Sequence, residues 1–356
     1  MTTPIPLGVD PGNGAIKVYG PHGGVQLPAL VAADAQGVFG SSPVIRAVGL
    51  TLGKPPLHVR TAGGAFYLGL GAHDWGRPVE NMDHERFTGT PEMRALVYGA
   101  LSQYLEMVKA KAEAESLDLN LNLNLTIGLP IEALTGEEEA VKATVAAVRR
   151  WTEGAHAWEA DGRAYAVTVQ SVTVTLQPAG ALYDYLLDEA GAFIPARKAH
   201  FGAEIGVISI GMNTLEVLLT RAGKIVPGET HGARLGVRRL LELCNPGELY
   251  TLGELDSQLR LGKLDVTTAL PIWASEVTGL LERRWGAKHR RFAAVILVGG
   301  GVKLLRQQLA LRFSGKAYIP DDPVLATACG LHKFTLLSMG KRRGELAGRQ
   351  AAPGEA

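Results

Sequence analysis

The sequence contains only two cysteines, Cys244 and Cys329, in a chain of 356 residues. Two are too few for a disulfide framework or a cysteine-rich metal site, so we expect a reducing compartment. An excess of charge of either sign is also missing, since the formal net charge at pH 7 is +1. The charge therefore gives no reason to expect direct binding to nucleic acid or to a membrane surface.

Long apolar runs are missing as well. No stretch reaches the length of about 18 residues that a membrane-spanning helix needs without a polar interruption. The first residues, 1–6, lack the basic start of a signal peptide and lead directly into an apolar strand pattern. The nine histidines lack the spacing of metal ligands. We therefore expect a cytoplasmic protein with no membrane contact.

The sequence does contain two glycine-bearing loops, each entered from an apolar run. Residues 7–18 read LGVDPGNGAIKV, and residues 207–217 read VISIGMNTLEV. Adding 199 to the residue number takes Asp10 to Ser209, Gly12 to Gly211 and Lys17 to Glu216. Small residues at such hairpin tips leave backbone N–H groups bare, which suits phosphate oxygens. Two loops in register predict a duplicated fold that binds one ligand between its halves.

Length and pattern together predict an α/β fold made of two related domains. A chain of 356 residues exceeds the size at which a single hydrophobic core stops growing. Segments with strand periodicity alternate with helical ones, such as the helix expected to begin at Pro91 and the strand expected at 293–298. Residues 32–90 are predicted to form short strands and loops, and their chemistry indicates no particular role.

The order of these features resembles the actin/Hsp70/sugar-kinase superfamily. It comprises the first hairpin, Gln177 ahead of a helix, the second hairpin and a strand that ends in three glycines. The narrower likeness is to plasmid-segregation actins of the ParM/StbA type and to archaeal actin-like proteins. Three segments carry it, at 128–130 (GLP), 177–183 (QPAGALY) and 232–236 (GARLG).

The resemblance covers residues 5 to about 335 and implies two domains with a nucleotide cleft between them. Domain I would comprise residues 1–180 and about 325–340, and domain II residues 181–324. The helix around 327–330 would link them. The basic and then Ala/Gly/Pro-rich composition of residues 341–356 predicts a disordered tail.

The resemblance also implies roles for individual residues. Asp10 would hold a hydrated Mg²⁺ through water, and Gln177 would position the attacking water; these two are the expected catalytic residues. Lys17 would face the phosphates as a point charge. The expected nucleotide-binding residues are Gly12, Asn13, Gly14, Lys17, Ser209, Gly211, Asn213, Thr214, Gly232, Gly236, Gly299, Gly300 and Gly301.

The residues alone leave plainer interpretations open. Asp10 could be an ordinary turn aspartate, and Gln177 could simply end a strand before a proline. Lys17 could be a solvated strand residue, and residues 299–301 could be only a turn between a strand and a helix.

The second loop departs from the family where an aspartate is usual, because this chain has Ser209. A hydroxyl can accept a hydrogen bond from a metal-bound water but cannot balance the charge of the cation. By analogy with the loss of a preorganised electrostatic group, transition-state stabilisation falls by about 2 to 4 kcal/mol, or roughly 30- to 1000-fold in rate. Glu216 lies on the far strand of this hairpin and is not expected to reach the metal. We therefore predict nucleotide binding with slow hydrolysis.

The implied function is an actin-like protein that binds ATP or GTP with Mg²⁺ and polymerises into filaments. The implied biological role is plasmid or DNA segregation, with a DNA-binding adaptor as partner and a weak ATPase or GTPase activity. A non-hydrolysing, nucleotide-gated scaffold is one alternative, and Ser209 favours it. A small-molecule kinase of the same superfamily is another, but neither its aspartate base nor a sugar-binding loop is recognisable in the sequence.

Overall fold

The structure is a computed structural model, and it describes residues 4–34, 53–80, 84–115 and 121–351. The described residues form two sheets. The first sheet has ten strands, and its order is β3-β2-β1-β8-β10-β9-β5-β6-β4-β7. Its strands are β1 (Ile5–Pro11), β2 (Ala15–Gly20), β3 (Gly23–Pro28), β4 (Val31–Ala33), β5 (Leu57–Thr61), β6 (Gly64–Leu68), β7 (Arg77–Pro78), β8 (Asn122–Leu129), β9 (Gly154–Ala160) and β10 (Arg163–Leu176).

The second sheet has six strands, and its order is β13-β12-β11-β15-β16, with β14 paired to β12. Its strands are β11 (Glu204–Ile210), β12 (Leu215–Arg221), β13 (Lys224–Ile225), β14 (His231–Ala233), β15 (Ala294–Val298) and β16 (Ala317–Tyr318). The α-helices among the described residues are α1 (Pro91–Glu115), α2 (Glu138–Thr152), α3 (Gln177–Leu186), α4 (Pro195–Phe201), α5 (Val237–Leu243), α6 (Leu252–Arg260), α7 (Ala269–Arg284), α8 (Gly300–Leu304), α9 (Arg306–Arg312) and α10 (Ala326–Ala351).

The two sheets share one topology. In the first, β1 pairs antiparallel with β2 and parallel with β8, which pairs parallel with β10. In the second, β11 pairs antiparallel with β12 and parallel with β15, which pairs parallel with β16. The predicted α/β fold with two related units is therefore confirmed.

Each sheet has its own hydrophobic core. The first core lies between the sheet and α1, where Leu96, Leu101 and Tyr104 are buried. The second lies between the second sheet and helices α5 and α7, around Trp273 and Trp285. Because the apolar strands β1 and β11 are buried along almost their whole length, the loops that follow them are held in fixed positions.

Helix α10 packs tightly on both β1 and α3. A Cβ atom at Gly330 would lie 1.8 Å from the carbonyl oxygen of Gly180 in α3, and one at Gly8 in β1 would lie 2.1 Å from the carbonyl oxygen of Ala328. Because these glycines have no side chain, the backbones of β1 and α3 can each lie in direct contact with the backbone of α10. Helix α10 also includes residues 341–351 of the stretch for which the composition predicts a disordered tail. Alanine, leucine, glutamate, lysine and arginine in this stretch all favour a helix.

Residues 32–90 join the first sheet at its far edge. Strands β4 to β7 lie beyond β9, which agrees with the predicted short strands. Residues 35–52 and 81–83 of this stretch lie outside the described residues, as do residues 352–356 of the predicted tail.

Candidate functional site

Four of the predicted site segments lie at the carboxyl ends of parallel strands. The first glycine loop follows β1, and the second follows β11. Gln177 comes directly after β10, and Gly299 comes directly after β15. Ligands of open α/β sheets bind at this end, because the loops after neighbouring parallel strands converge there. The duplicated topology brings the two ends to opposite walls of one cavity.

That cavity has a volume of about 550 Å³, within the range of ordinary small-molecule sites. Twelve of the sequence-predicted residues line it: Asp10, Gly12, Asn13, Gly14, Lys17, Gln177, Ser209, Gly211, Asn213, Thr214, Gly299 and Gly300. The 199-residue offset therefore corresponds to two loops that meet around one space.

Asp10 is the centre of a polar group on the first wall. Its side chain is only 7% exposed. Lys17 Nζ lies 2.9 Å from Asp10 Oδ2, and Gln177 Nε2 donates to Asp10 Oδ1 at 2.8 Å. Asp10 and Lys17 are direct cross-strand partners in the β1–β2 hairpin, and Gln177 reaches them from the start of α3. The plainer interpretation of Lys17 as a solvated residue is wrong, because its side chain is 14% exposed and paired.

The second hairpin repeats this register with different chemistry. Ser209 and Glu216 are direct cross-strand partners, as Asp10 and Lys17 are in the first hairpin. Gly211 N–H donates to the Thr214 carbonyl oxygen at 2.9 Å and closes the turn. The equivalent positions therefore carry an acid and a base in the first hairpin, but a hydroxyl and an acid in the second.

Glu216 is buried and contacts the other half of the molecule. Its side chain accepts a hydrogen bond from the backbone N–H of Ile131 at 2.5 Å, and the residue is 2% exposed. Ile131 begins the short 3₁₀ turn Ile131–Leu134, next to the cavity-lining Pro130. Burial raises the pKa of Glu216 to about 8; the Ile131 N–H lowers it, and the negative charge of Asp10 raises it further. Glu216 therefore joins the two halves behind the cavity wall.

Three predicted residues lie outside the cavity lining. Gly232 is in β14, against the side chain of Glu132. Gly236 packs under the second loop, where a Cβ atom would lie 2.5 Å from the carbonyl oxygen of Met212. Gly301 packs against Ile210 at the start of α8. The last two support the second hairpin and its strand from behind, a role that linear motif order does not distinguish from ligand contact.

The backbone conformation explains why the run of three glycines at 299–301 begins with glycine. Gly299 has φ +97°, and a Cβ atom there would lie 2.3 Å from the carbonyl oxygen of Ile210. Only glycine adopts this conformation at such a close approach without strain. The turn therefore brings backbone to the cavity wall with no side chain in the way.

Several polar residues of the cavity were missed by the sequence analysis: Gln26, Asp256, Arg260, Lys303 and Thr327. Gln26 is the cross-strand partner of Lys17, so the strand pattern could have identified it. Asp256 and Arg260 lie four residues apart on α6, a spacing that is typical of solvated helix pairs. Thr327 lies on the helix that was expected to link the domains, but its contact with the cavity depends on how α10 packs.

The donor set fits a hydrated Mg²⁺ and a polyphosphate. Asp10 supplies oxygen ligands, and each of its oxygens keeps a lone pair beyond the bond to Lys17 or Gln177. Among the described residues, no cluster of three or more His, Cys, Asp or Glu side chains could hold a metal alone. Mg²⁺ in protein sites often keeps several waters and takes one or two carboxylates plus phosphates, which matches one carboxylate beside two glycine loops.

Asn13 adds an unsatisfied group. Its Oδ1 is buried and has no hydrogen-bond partner within the described structure. A buried acceptor without a partner is costly and marks a position where a bound group with a donor fits.

The sequence of the first half is similar to one known protein family. Residues 8–180 match a family described as the N-terminal domain of actin-like proteins. No curated protein matches the sequence at a significant level.

Solved structures show the same fold over nearly the whole chain. The apo pSK41 ParM protein is 16% identical, with 96% of this chain and 99% of that chain covered and a TM-score of 0.68. The archaeal actin homologue Ta0583 in complex with ADP is 17% identical, with 94% and 99% covered and a TM-score of 0.64. A ParM from Clostridium botulinum, solved as a 15-stranded filament, is 14% identical, with 94% and 99% covered and a TM-score of 0.60. At these identities the likeness establishes the fold.

Within the described residues, no helix has the length and apolar character that crossing a membrane requires.

Proposed function

We propose that this chain is an actin-like protein that binds ATP or GTP with Mg²⁺ between its two hairpins and assembles into filaments. The observation that carries the proposal is the group formed by Asp10, Lys17 and Gln177, which faces the second glycine loop across one cavity. Carboxylate, ammonium and glutamine together suit a metal-bound polyphosphate and a water held for attack.

The known structures support both parts of the proposal. Ta0583 was solved with ADP, and the Clostridium botulinum ParM was solved as a filament. We infer that the copies of this chain bind one another in a nucleotide-dependent way. Segregation of a plasmid or other DNA, through a separate DNA-binding adaptor, is the biological role that we propose for the filament.

Hydrolysis is proposed to be slow. Ser209 stands in the cavity where the first hairpin has Asp10, and the nearest acid on its own hairpin, Glu216, is bonded to Ile131. The other carboxylate that lines the cavity, Asp256, is paired with Arg260. The proposal therefore leaves Asp10 alone to hold the metal, and the expected deficit is roughly 30- to 1000-fold in rate. If hydrolysis is absent altogether, Ser209 favours a second candidate function, a scaffold that is gated by bound nucleotide and does not hydrolyse it.

One experiment tests filament formation and hydrolysis together. The protein is mixed with ATP or GTP, with and without Mg²⁺, while light scattering, sedimentation and single-turnover phosphate release are measured. Mg²⁺-dependent sedimentable polymer with slow phosphate release is the expected result, and polymer without any release would favour the scaffold. The control variant is Asp10→Asn, which keeps the shape of the side chain and removes its charge.

Absence of both nucleotide binding and polymer in the wild-type protein would refute the proposed function. Phosphate release as fast as that of an efficient filament-forming ATPase measured alongside would refute the slow-hydrolysis part alone.

A further inference from the structure

Helix α6 reaches from the second half of the molecule to the β1–β2 hairpin of the first half. Its buried Leu255 belongs to the second core, whereas its last residue, Arg260, extends in the other direction. Arg260 Nη2 donates to the carbonyl oxygen of Gly14 at 2.8 Å. The same carbonyl oxygen accepts the backbone N–H of Ala29 at 3.1 Å, which fixes it in place. A charged side chain of one half is thus bonded to the nucleotide hairpin of the other.

The guanidinium of Arg260 is also fixed from its own side. Arg260 Nε donates to Asp256 Oδ2 at 2.8 Å, one turn earlier on α6. The side chain of Asp256 is 7% exposed and that of Arg260 is 25% exposed. Charge-assisted hydrogen bonds in such partly buried surroundings are stronger than neutral ones. The arginine therefore reaches Gly14 in a held orientation, and little side-chain entropy is lost when the contact forms.

Two close approaches lie along the same edge. A Cβ atom at Gly14 would lie 2.7 Å from Met212 Cβ at the tip of the second hairpin. A Cβ atom at Gly253, near the start of α6, would lie 2.4 Å from the ring of His73 in the first half. Along this edge the two halves therefore touch at three points, which we call the rim contact: Arg260 with Gly14, Met212 with Gly14, and Gly253 with His73.

The rim contact lies on the boundary of the nucleotide cavity, since Gly14, Met212 and Arg260 also line that cavity. The Met212 and Gly253 contacts are packing contacts. Only the Arg260 contact is a hydrogen bond from a charged donor. Among the three, it is therefore the one whose loss most weakens the closed edge.

We propose that Arg260 is a latch that keeps the nucleotide cavity closed, and that its hydrogen bond to Gly14 breaks each time a nucleotide enters or leaves. This inference rests on the proposed function, because it requires a nucleotide in the cavity. The latch acts on the opening of the rim rather than on the bound state itself. Its removal therefore speeds both entry and exit and leaves the affinity nearly unchanged.

The test is stopped-flow measurement of association and dissociation of a fluorescent ATP or GTP analogue with Mg²⁺. For Arg260→Ala, both rate constants should rise about tenfold or more, as expected for one charge-assisted bond, while Kd changes less than about threefold. The matched control is Arg238→Ala, since Arg238 also bonds to an acidic side chain four residues away, that of Glu242, but on the exposed surface of α5. Its rates should equal those of the wild type.

Removal of Arg260 leaves Asp256 buried without its partner, which could unfold the protein. The double variant Asp256→Asn/Arg260→Ala avoids this and should show the same two rate increases. A rise in dissociation alone, with a weaker Kd, would mean that Arg260 contacts the nucleotide and would overturn the latch. Unchanged rates would also overturn it and leave the proposed function standing, whereas a wild-type protein that binds no nucleotide would refute both.

Discussion

The buried carboxyl group of Glu216 gives a prediction about stability and pH. Glu216 is 2% exposed, and its carboxyl group accepts a hydrogen bond from the backbone N–H of Ile131 in the opposite half. Burial raises its pKa to about 8 in the folded protein, whereas an exposed glutamate titrates near pH 4.5. A folded pKa above the unfolded one means that the folded state binds the proton more tightly. The contribution to stability is therefore complete at low pH and is lost as the pH rises through the folded value.

The size of this contribution to the free energy of unfolding follows from the two pKa values. Each unit of difference corresponds to about 1.4 kcal/mol, so the loss between pH 4.5 and pH 8 has a ceiling of about 4 to 5 kcal/mol. Glu216→Gln removes the titration, and the carbonyl oxygen of its amide can still accept the Ile131 N–H. The free energy of unfolding of the wild type, minus that of this variant, should therefore fall by about 1.4 kcal/mol per pH unit from pH 5 to 8 and then level off.

The assay is urea unfolding of the nucleotide-free protein at pH 5, 6, 7, 8 and 9. Glu138→Gln is the matched control, because the side chain of Glu138 is 82% exposed at the start of α2. Its difference from the wild type should stay nearly constant over this range. If the Glu216→Gln difference is equally flat, Glu216 ionises as an exposed carboxyl does, and the argument from burial fails.

Two further predictions concern the site and the helix that packs behind it. Gln177→Ala should leave nucleotide affinity within about threefold and slow single-turnover phosphate release about 100-fold. The reason is that Gln177 is bonded to Asp10, where an attacking water would be held. The control Gln170→Ala, at an exposed position of β10, should change neither the affinity nor the rate. Gly330→Ala should lower the free energy of unfolding by at least about 3 kcal/mol, measured with urea, because its Cβ would lie 1.8 Å from the Gly180 carbonyl oxygen. Gly340→Ala, in the same helix with open space around it, should instead stabilise the protein by about 1 kcal/mol.

The hairpins could be predicted from the sequence because their signals are local. Strand periodicity, the turn glycines and the spacing of 199 residues were enough to pair Asp10 with Ser209, and both now line one cavity. The repeat of the register, with Asp10 opposite Lys17 and Ser209 opposite Glu216, follows from the same short segments.

Residues that reach the site through tertiary packing could not be predicted in this way. Arg260 and Asp256 have the spacing of an ordinary surface pair on a helix, and only the placement of α6 across the rim gives them another role. The sequence did not indicate that Glu216 contacts Ile131, because this contact depends on how two distant segments meet. For residues 341–351, which continue α10, the prediction of a tail rested on composition and did not weigh helix propensity.

The asymmetry of the two hairpins leads to a last prediction, made with Ser209→Asp. This variant restores a carboxylate to the cavity wall, and if its absence limits hydrolysis, single-turnover phosphate release at pH 7 should rise by roughly 30- to 1000-fold. The new Asp would stand directly across from Glu216, and like charges at such a position repel. At pH 7 this cost is small, because Glu216 with its pKa of about 8 is mostly uncharged.

The increase in phosphate release by Ser209→Asp should therefore become smaller as the pH is raised from 7 to 9, since Glu216 then ionises opposite the new carboxylate. Ser209→Asn provides the comparison, because it has nearly the same shape and no charge and should release phosphate no faster than the wild type. Equal rates for the Asp and Asn variants at pH 7 would show that the missing carboxylate is not what slows the reaction. The slow step would then have to lie elsewhere in the cycle, with opening of the rim held by Arg260 as the next step to measure.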